Sequence, residues 1–417
     1  MQIFDRYKFI VGFASVVGFM SSAIAGDVDA FFGDGGTSDF YRWHEALKEP
    51  GQMLRQEAVG DGYFADNASL ARRILYSSTD GRFGRGVVEA SGLLYLPKGS
   101  PPPGGWPLVV WGHGTLGVAD VCAPSWKKPT DRDGAFADAW LQAGFAVVAP
   151  DYQGLGTRGV HPYLQRRPEG YSVLDAARAA LRAYPQEIAN AVVLVGQSQG
   201  SGAVLNAAAV AQAYAPELGL RGVVATALVW SAPGPIKVRD FSGPYAAMYP
   251  IMYAASGALK PGSPSVEALV TAKGKLVVEA ARTICSDDVA NVTEKNGVTG
   301  TNGFTVPLTK LAAMFPDASA APQNLRVPLF IATGLADSTI PPDSQFKAVK
   351  YMCGFGNRIS WKKYAGITHY ATPNYALRDA LPFAKAVLNG GSPRSDCGDL
   401  LPPGPLQQPT PGIPFQD

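Results

Sequence analysis

The string Gly196-Gln197-Ser198-Gln199-Gly200 sets a hydroxyl between two glycines. Composition alone would yield a G-x-S-x-G match roughly 0.3 times in such a chain, so the flanking residues decide its meaning. Ala191 to Val195 is apolar and reads as a strand, and the Ala-rich stretch Gly200 to Tyr214 reads as a helix. A strand–turn–helix elbow strains the serine backbone, needs glycine where strand and helix nearly touch, and lifts Ser198 Oγ to the carboxyl end of a sheet. There the helix N-terminus offers free N–H groups, that of Gln199 foremost, to a developing oxyanion. A serine hydroxyl is a weak nucleophile without a base. Of His44, His113, His161 and His369, only His369 follows Ser198. On such an elbow the chain order is serine, acid, histidine, which selects His369. The acid belongs after the strand Leu329-Phe330-Ile331-Ala332-Thr333, where Gly334-Leu335-Ala336 leads into Asp337. Asp343, a turn further on, is the alternative. Asp337 would accept the Nδ1 proton of His369 and stabilise the imidazolium.

Those side chains need a scaffold. Trp106 to Trp111, Phe145 to Ala149, Val223 to Trp230, Pro328 to Thr333 and Ile359 to Tyr364 read as further strands, with Arg73 to Tyr76 and Val87 to Leu96 before them. Phe136 to Ala143 and Ser172 to Tyr184 read as helices, with Ser172 as an N-cap. Apolar strands alternating with helices indicate an α/β chain with a mainly parallel sheet covered on both faces. Between Ala232 and Pro328 roughly 90 residues replace the usual short connection, which marks an insertion. Its aromatic and apolar residues Phe241, Tyr245, Met248, Tyr249, Ile251, Met252 and Tyr253 suit a core of its own or the wall of a substrate channel. Asp151, beside hydroxyl and amide neighbours, reads as a carboxylate that staples its loop. His161 and His44 have no chemical partner in sequence.

Met1 to Ala25 has a charged start (Arg6, Lys8), a short apolar middle and an Ala23-Ile24-Ala25 end. It reads as a cleaved secretory signal rather than a membrane anchor, and predicts a secreted or periplasmic protein. With 36 Lys+Arg against 34 Asp+Glu the net charge is +2, too small to gather a nucleic-acid backbone. Hydrophobic residues at 47% and charged ones at 17% exclude a disordered chain. Export favours disulfides among Cys122, Cys285, Cys353 and Cys397, which allow three pairings. No C-x-x-C or neighbouring histidine pair calls for a metal, and the serine chemistry calls for no organic cofactor. No oligomeric state is legible.

The chain resembles the α/β-hydrolases and, more narrowly, the secretory lipase family with its yeast lipase A-type members. The shared marks are the signal, Arg73-Ile74-Leu75-Tyr76-Ser77-Ser78, Cys122-Ala123-Pro124-Ser125, the Ser198 elbow, the long insertion, and the Asp337 and His369 loops, over about Arg55 to Leu388. The resemblance implies an α/β-hydrolase fold with an inserted lid over an acyl-binding tunnel, and lipase or esterase activity on a small-molecule or lipid ester, with transient contact to a lipid interface. A peptidase on the same fold and a non-catalytic binding module are the alternatives. His113-Gly114-Thr115 resembles the oxyanion element of that fold, giving Thr115 N–H as second donor, Leu116 as alternative and a structural role for His113. The following Leu116-Gly117 brings the segment closer to bacterial hydrolases than to the yeast enzymes. The resemblance also implies disulfides Cys122–Cys285 and Cys353–Cys397. The expected division is signal 1–25, core 26–235, lid 236–324, core 325–398 and a Pro-rich tail 399–417, extended and mobile from Pro402 to Pro414.

Overall fold

A computed structural model of the chain describes residues 36–60, 62–63, 65–229, 245–257, 259–315 and 323–416. The signal segment, Trp230 and Phe241 lie outside the described residues. The strands are β1 (Met53–Ala58), β2 (Ala68–Thr79), β3 (Val87–Pro97), β4 (Trp106–Gly112), β5 (Ala146–Pro150), β6 (Ile188–Gln197), β7 (Leu220–Thr226), β8 (Leu329–Gly334) and β9 (Ile359–Tyr364). They form one sheet in the order β1-β2-β3-β5-β4-β6-β7-β8-β9. The pairs from β1 to β5 across β3 are antiparallel, and those from β5 to β9 are parallel. The helices are α1 (Asp131–Gln142), α2 (Arg166–Ala183), α3 (Gln199–Tyr214), α4 (Tyr245–Ala255), α5 (Val266–Leu269), α6 (Ala272–Thr283), α7 (Ser286–Lys295), α8 (Leu308–Met314), α9 (Pro342–Cys353) and α10 (Thr372–Leu388).

The central strands are apolar without a break because both faces are covered. Leu108 and Val110 pack with α2, α3 and α9, while Val109 and Trp111 pack with α1 and α10. Period-two alternation thus sends successive side chains into two cores. Among the described residues the elements between β7 and β8 are the helices α4 to α8, with one antiparallel bridge between Val270 and Phe304. Met248, Ile251, Met252 and Tyr253 join Val277, Val289 and Leu311 in a separate core, which Val118 and Tyr163 of the main body enter. Disulfides join Cys122 to Cys285 and Cys353 to Cys397. The first fastens the insertion beside the loop after β4. The same seam is closed by the Ser286 N–H, which donates to Leu116 O at 2.8 Å.

Three local expectations are corrected. α2 begins at Arg166, six residues before Ser172. Pro168 is tolerated because the first turn has no intrahelical N–H partner to lose. Ser172 is buried inside the helix, its hydroxyl donating to Pro168 O at 2.7 Å and accepting from Gln153 N–H at 3.0 Å. α1 likewise starts early, at Asp131, with Thr130 as the N-cap that accepts from Asp133 N–H. The Pro-rich tail is tethered rather than free. Gln407 N–H donates to Leu335 O at 2.9 Å, and Thr410 N–H to Gly366 O at 2.8 Å. Gln416 Oε1 accepts from Thr368 N–H at 2.9 Å, and its Nε2 donates to Gly366 O at 2.8 Å. Among the described residues no helix is long and apolar enough to cross a membrane, and no cluster of ligating side chains could hold a metal.

Candidate active site

Ser198 sits between β6 and α3 with φ 54° and ψ −122°. A non-glycine residue at positive φ costs about 1–3 kcal/mol and persists only when its surroundings enforce it. Here the enforcement is visible. Ser198 N–H donates to Thr226 O at 3.1 Å, and Ser198 O accepts from Ser201 N–H at 2.8 Å and Ser201 Oγ at 2.6 Å. Ser201 Oγ in turn accepts from Val229 N–H at 2.9 Å, tying the elbow to the chain after β7. The flanking glycines are steric necessities: a Cβ on Gly200 would stand 1.9 Å from Gly112 O, and one on Gly196 2.2 Å from Gly200 O. Gly114 is equally close to the serine, since a Cβ there would lie 3.5 Å from Ser198 Cβ.

Asp337 follows β8 and His369 follows β9, and both strands run parallel to β6. All three side chains therefore gather at one end of the sheet. The two loops are laced together by Leu335 N–H to Tyr364 O at 2.8 Å and Ala336 N–H to Ile367 O at 2.9 Å. His369 Nδ1 lies 2.9 Å from Asp337 Oδ2, with Asp337 fully buried. A carboxylate only accepts, so Nδ1 carries the proton and Nε2 keeps its lone pair. Asp337 also accepts from Ile340 N–H at 2.7 Å and from Gln345 Nε2 at 3.0 Å. Gln345 is itself pinned: its Oε1 accepts from Thr333 Oγ1 and from Leu228 N–H. Among the described residues no hydrogen bond joins Ser198 Oγ to His369 in this arrangement. Asp343, the alternative acid, is exposed and paired with Lys347.

Gln199 follows the serine at the start of α3, and Thr115 follows Gly114 in the loop after β4. Thr115 Oγ1 shares a hydrogen bond with Tyr163 OH at 2.7 Å. His113 Nδ1 donates to Gly114 O at 2.6 Å and His113 O accepts from Tyr152 OH at 2.9 Å. Burial lowers the pKa of this imidazole, so it stays neutral. Asp151 binds Ser91 Oγ at 2.6 Å, Ser125 N–H at 3.0 Å and the Ser125 hydroxyl. Its partners are distant in sequence, not the local ones expected, and they explain Ser125 of the C-A-P-S string. Ser198 is 9% exposed. The insertion reaches this end of the sheet: burial and the neighbouring Tyr245 push the hydroxyl pKa of Tyr370, next to His369, upward, and Tyr245 stacks on Tyr249 with centroids 5.4 Å apart. A cavity of about 660 Å³ adjoins the loop after β4, walled in part by Trp111, Leu116 and Ser286.

Ser201, Gln345 and Glu169 escaped the sequence reading, and His161 showed no partner there. A lone hydroxyl or amide carries no signal until strands distant in the chain bury it beside another polar group. The tail gives a direct test of one such coupling. Truncation after Leu406 removes every contact of Gln407, Thr410 and Gln416 with the Asp337 and His369 loops, each bond worth about 1 kcal/mol. Melting temperature should fall by several degrees and ester hydrolysis roughly tenfold. Thermal melts and kcat measured side by side check this; an unchanged pair contradicts it.

A model of the secretory lipase family matches residues 128–393. The chain is 24% identical over 375 residues to lipase A of Moesziomyces aphidis, covering 84% of this chain and 79% of that one. It is 24% identical over 273 residues to a secreted triacylglycerol lipase of Malassezia furfur, covering 60% of this chain and 49% of that one. Among solved structures it is similar to Candida antarctica lipase A in its closed state, with TM-score 0.63, 19% identity, and 88% and 87% of the two chains covered. It is also similar to the rice cell wall degrading esterase LipA of Xanthomonas oryzae, with TM-score 0.59, 17% identity, and 82% and 97% covered. The fold is that of the α/β-hydrolases. With the family model spanning more than half of its length, the chain belongs to the secretory lipase family and is an ester-hydrolysing serine hydrolase.

Proposed function

We propose that this protein is exported and hydrolyses lipid acyl esters through an acyl-enzyme on Ser198. Ser198 Oγ attacks the ester carbonyl as His369 Nε2 takes its proton, and the N–H groups of Gln199 and Thr115 hold the oxyanion. His369 then protonates the departing alcohol. Water repeats the sequence on the acyl-serine and frees the acid. Asp337 keeps His369 in the tautomer that leaves Nε2 basic. The observation that carries this reading is the buried Asp337–His369 pair at the same sheet end as the strained Ser198.

Residues 236–324 act as the lid. The low exposure of Ser198 and the Tyr245–Tyr370 contact suit a closed state, from which opening admits substrate and lets Nε2 meet Oγ. The apolar character of α4 supports an acyl chain as the substrate part it covers. A hydrolysis series from acetyl to palmitoyl esters tests the substrate class. Rates that hold or rise beyond four carbons are expected. A sharp optimum at two to four carbons would overturn the lipid assignment while leaving the serine chemistry intact.

A further inference from the structure

Behind the two proposed oxyanion donors lies a buried polar cluster that the mechanism above does not use. Glu169, in the first turn of α2, is 1% exposed. Its Oε1 accepts from Gln199 Nε2 at 2.8 Å and from Leu164 N–H at 2.8 Å. Gln199 Nε2 also donates to His161 Nε2 at 3.0 Å, while His161 Nδ1 donates to Gln153 O at 3.1 Å. Gln199 Oε1 is buried without a partner, so Glu169 and His161 are the side chain's tether. Leu164 has φ 58°, a conformation costly for a branched residue, and its N–H ends on Glu169. The same loop carries Tyr163, whose hydroxyl meets Thr115.

We propose that Glu169 is a positioning residue for the oxyanion hole, holding Gln199 directly and Thr115 through the His161–Leu164 loop. This rests on the reading of Gln199 and Thr115 as oxyanion donors. Burial pushes the Glu169 carboxyl up to about 8, so at neutral pH it is an uncharged acid with a carbonyl oxygen for its two N–H partners. The groups that feel it are Tyr152 and Tyr163 from the loop after β5 and Tyr253 from α4. His161 is pushed down to about 4 by burial and stays neutral. Arg166 and Arg167 share its helical turn, and Arg167 Nη1 points at Gly84. Above pH 8 an anion forms behind the site where the transition state gathers negative charge, and the two repel in a low-dielectric setting.

The test compares wild type, Glu169→Gln and Glu169→Ala in the full chain, with kcat and KM for a short-chain ester from pH 6 to 10. End-point labelling by a fluorophosphonate counts competent serines, and circular dichroism at each pH monitors the fold. Wild-type kcat should fall above pH 8. Glu169→Gln, which keeps the acceptor and cannot ionise, should hold kcat near the wild-type value at pH 7 and lose the alkaline limb. Glu169→Ala should lower kcat roughly tenfold to a hundredfold per labelled serine with KM little changed. An alkaline limb retained in Glu169→Gln, or wild-type kcat in Glu169→Ala, overturns the proposal. Where the alanine variant does not fold, the pH profile of the glutamine variant decides. Absence of label at Ser198 in wild type would instead refute the nucleophile assignment.

Discussion

Ser198→Ala is expected to lower ester turnover by roughly 10³- to 10⁶-fold, the range seen when a serine enzyme loses a member of its catalytic unit. Alanine keeps the Cβ and the backbone bonds to Thr226 and Ser201, so the elbow should survive. What disappears is the only atom proposed to bond covalently with the acyl group. Because substrate binding does not depend on that bond, KM should change far less than kcat. Residual hydrolysis comes from the donors of Gln199 and Thr115 and from the positioning of the ester. A variant with near-normal kcat would place the chemistry on another residue. Fold integrity is checked by an unchanged melting temperature.

Asp337→Asn is expected to lower kcat about 10⁴-fold, and the hydrogen bonds show why. In the native site one carboxylate oxygen accepts from Ile340 N–H and the other from Gln345 Nε2 and His369 Nδ1. An amide has one donor end and one acceptor end. If the NH₂ faces Ile340, two donors oppose each other. If it faces Gln345 and His369, it clashes with Gln345 and forces the imidazole proton onto Nε2, where the base is needed. The second orientation removes the proton acceptor from Ser198, while the first leaves the buried Ile340 N–H without an acceptor and loosens the loop that holds His369. Measuring kcat/KM for this variant beside Ser198→Ala gives the comparison. A loss of less than tenfold would demote Asp337 to a structural loop residue.

Much of this site was readable because its constraints are local in the chain. Gly196 and Gly200 flank Ser198 at a spacing that only a tight strand-to-helix turn requires. His369 is the one histidine after Ser198. Asp337 follows a strand whose apolar run is unmistakable. The sheet was legible for the same reason: Leu108 to Trp111 is apolar at every position because two layers of helices cover it. Ser172 misled because serine is a good cap anywhere, while the real helix start at Arg166 has no side-chain cap bond. The tail misled because prolines signal extended chain, whereas its tethers are Gln407 and Gln416, ordinary residues whose partners lie about 40 to 70 positions upstream. Gln345 and Glu169 were invisible because their meaning depends on burial against other elements.

The account is tested most directly by reacting the protein with a fluorophosphonate and mapping the adduct by peptide mass spectrometry. The expected result is one adduct per chain, on the peptide that contains Ser198, formed slowly or not at all after His369→Ala. An adduct on a different serine, or none while ester hydrolysis proceeds, would contradict the assignment of Ser198 as nucleophile.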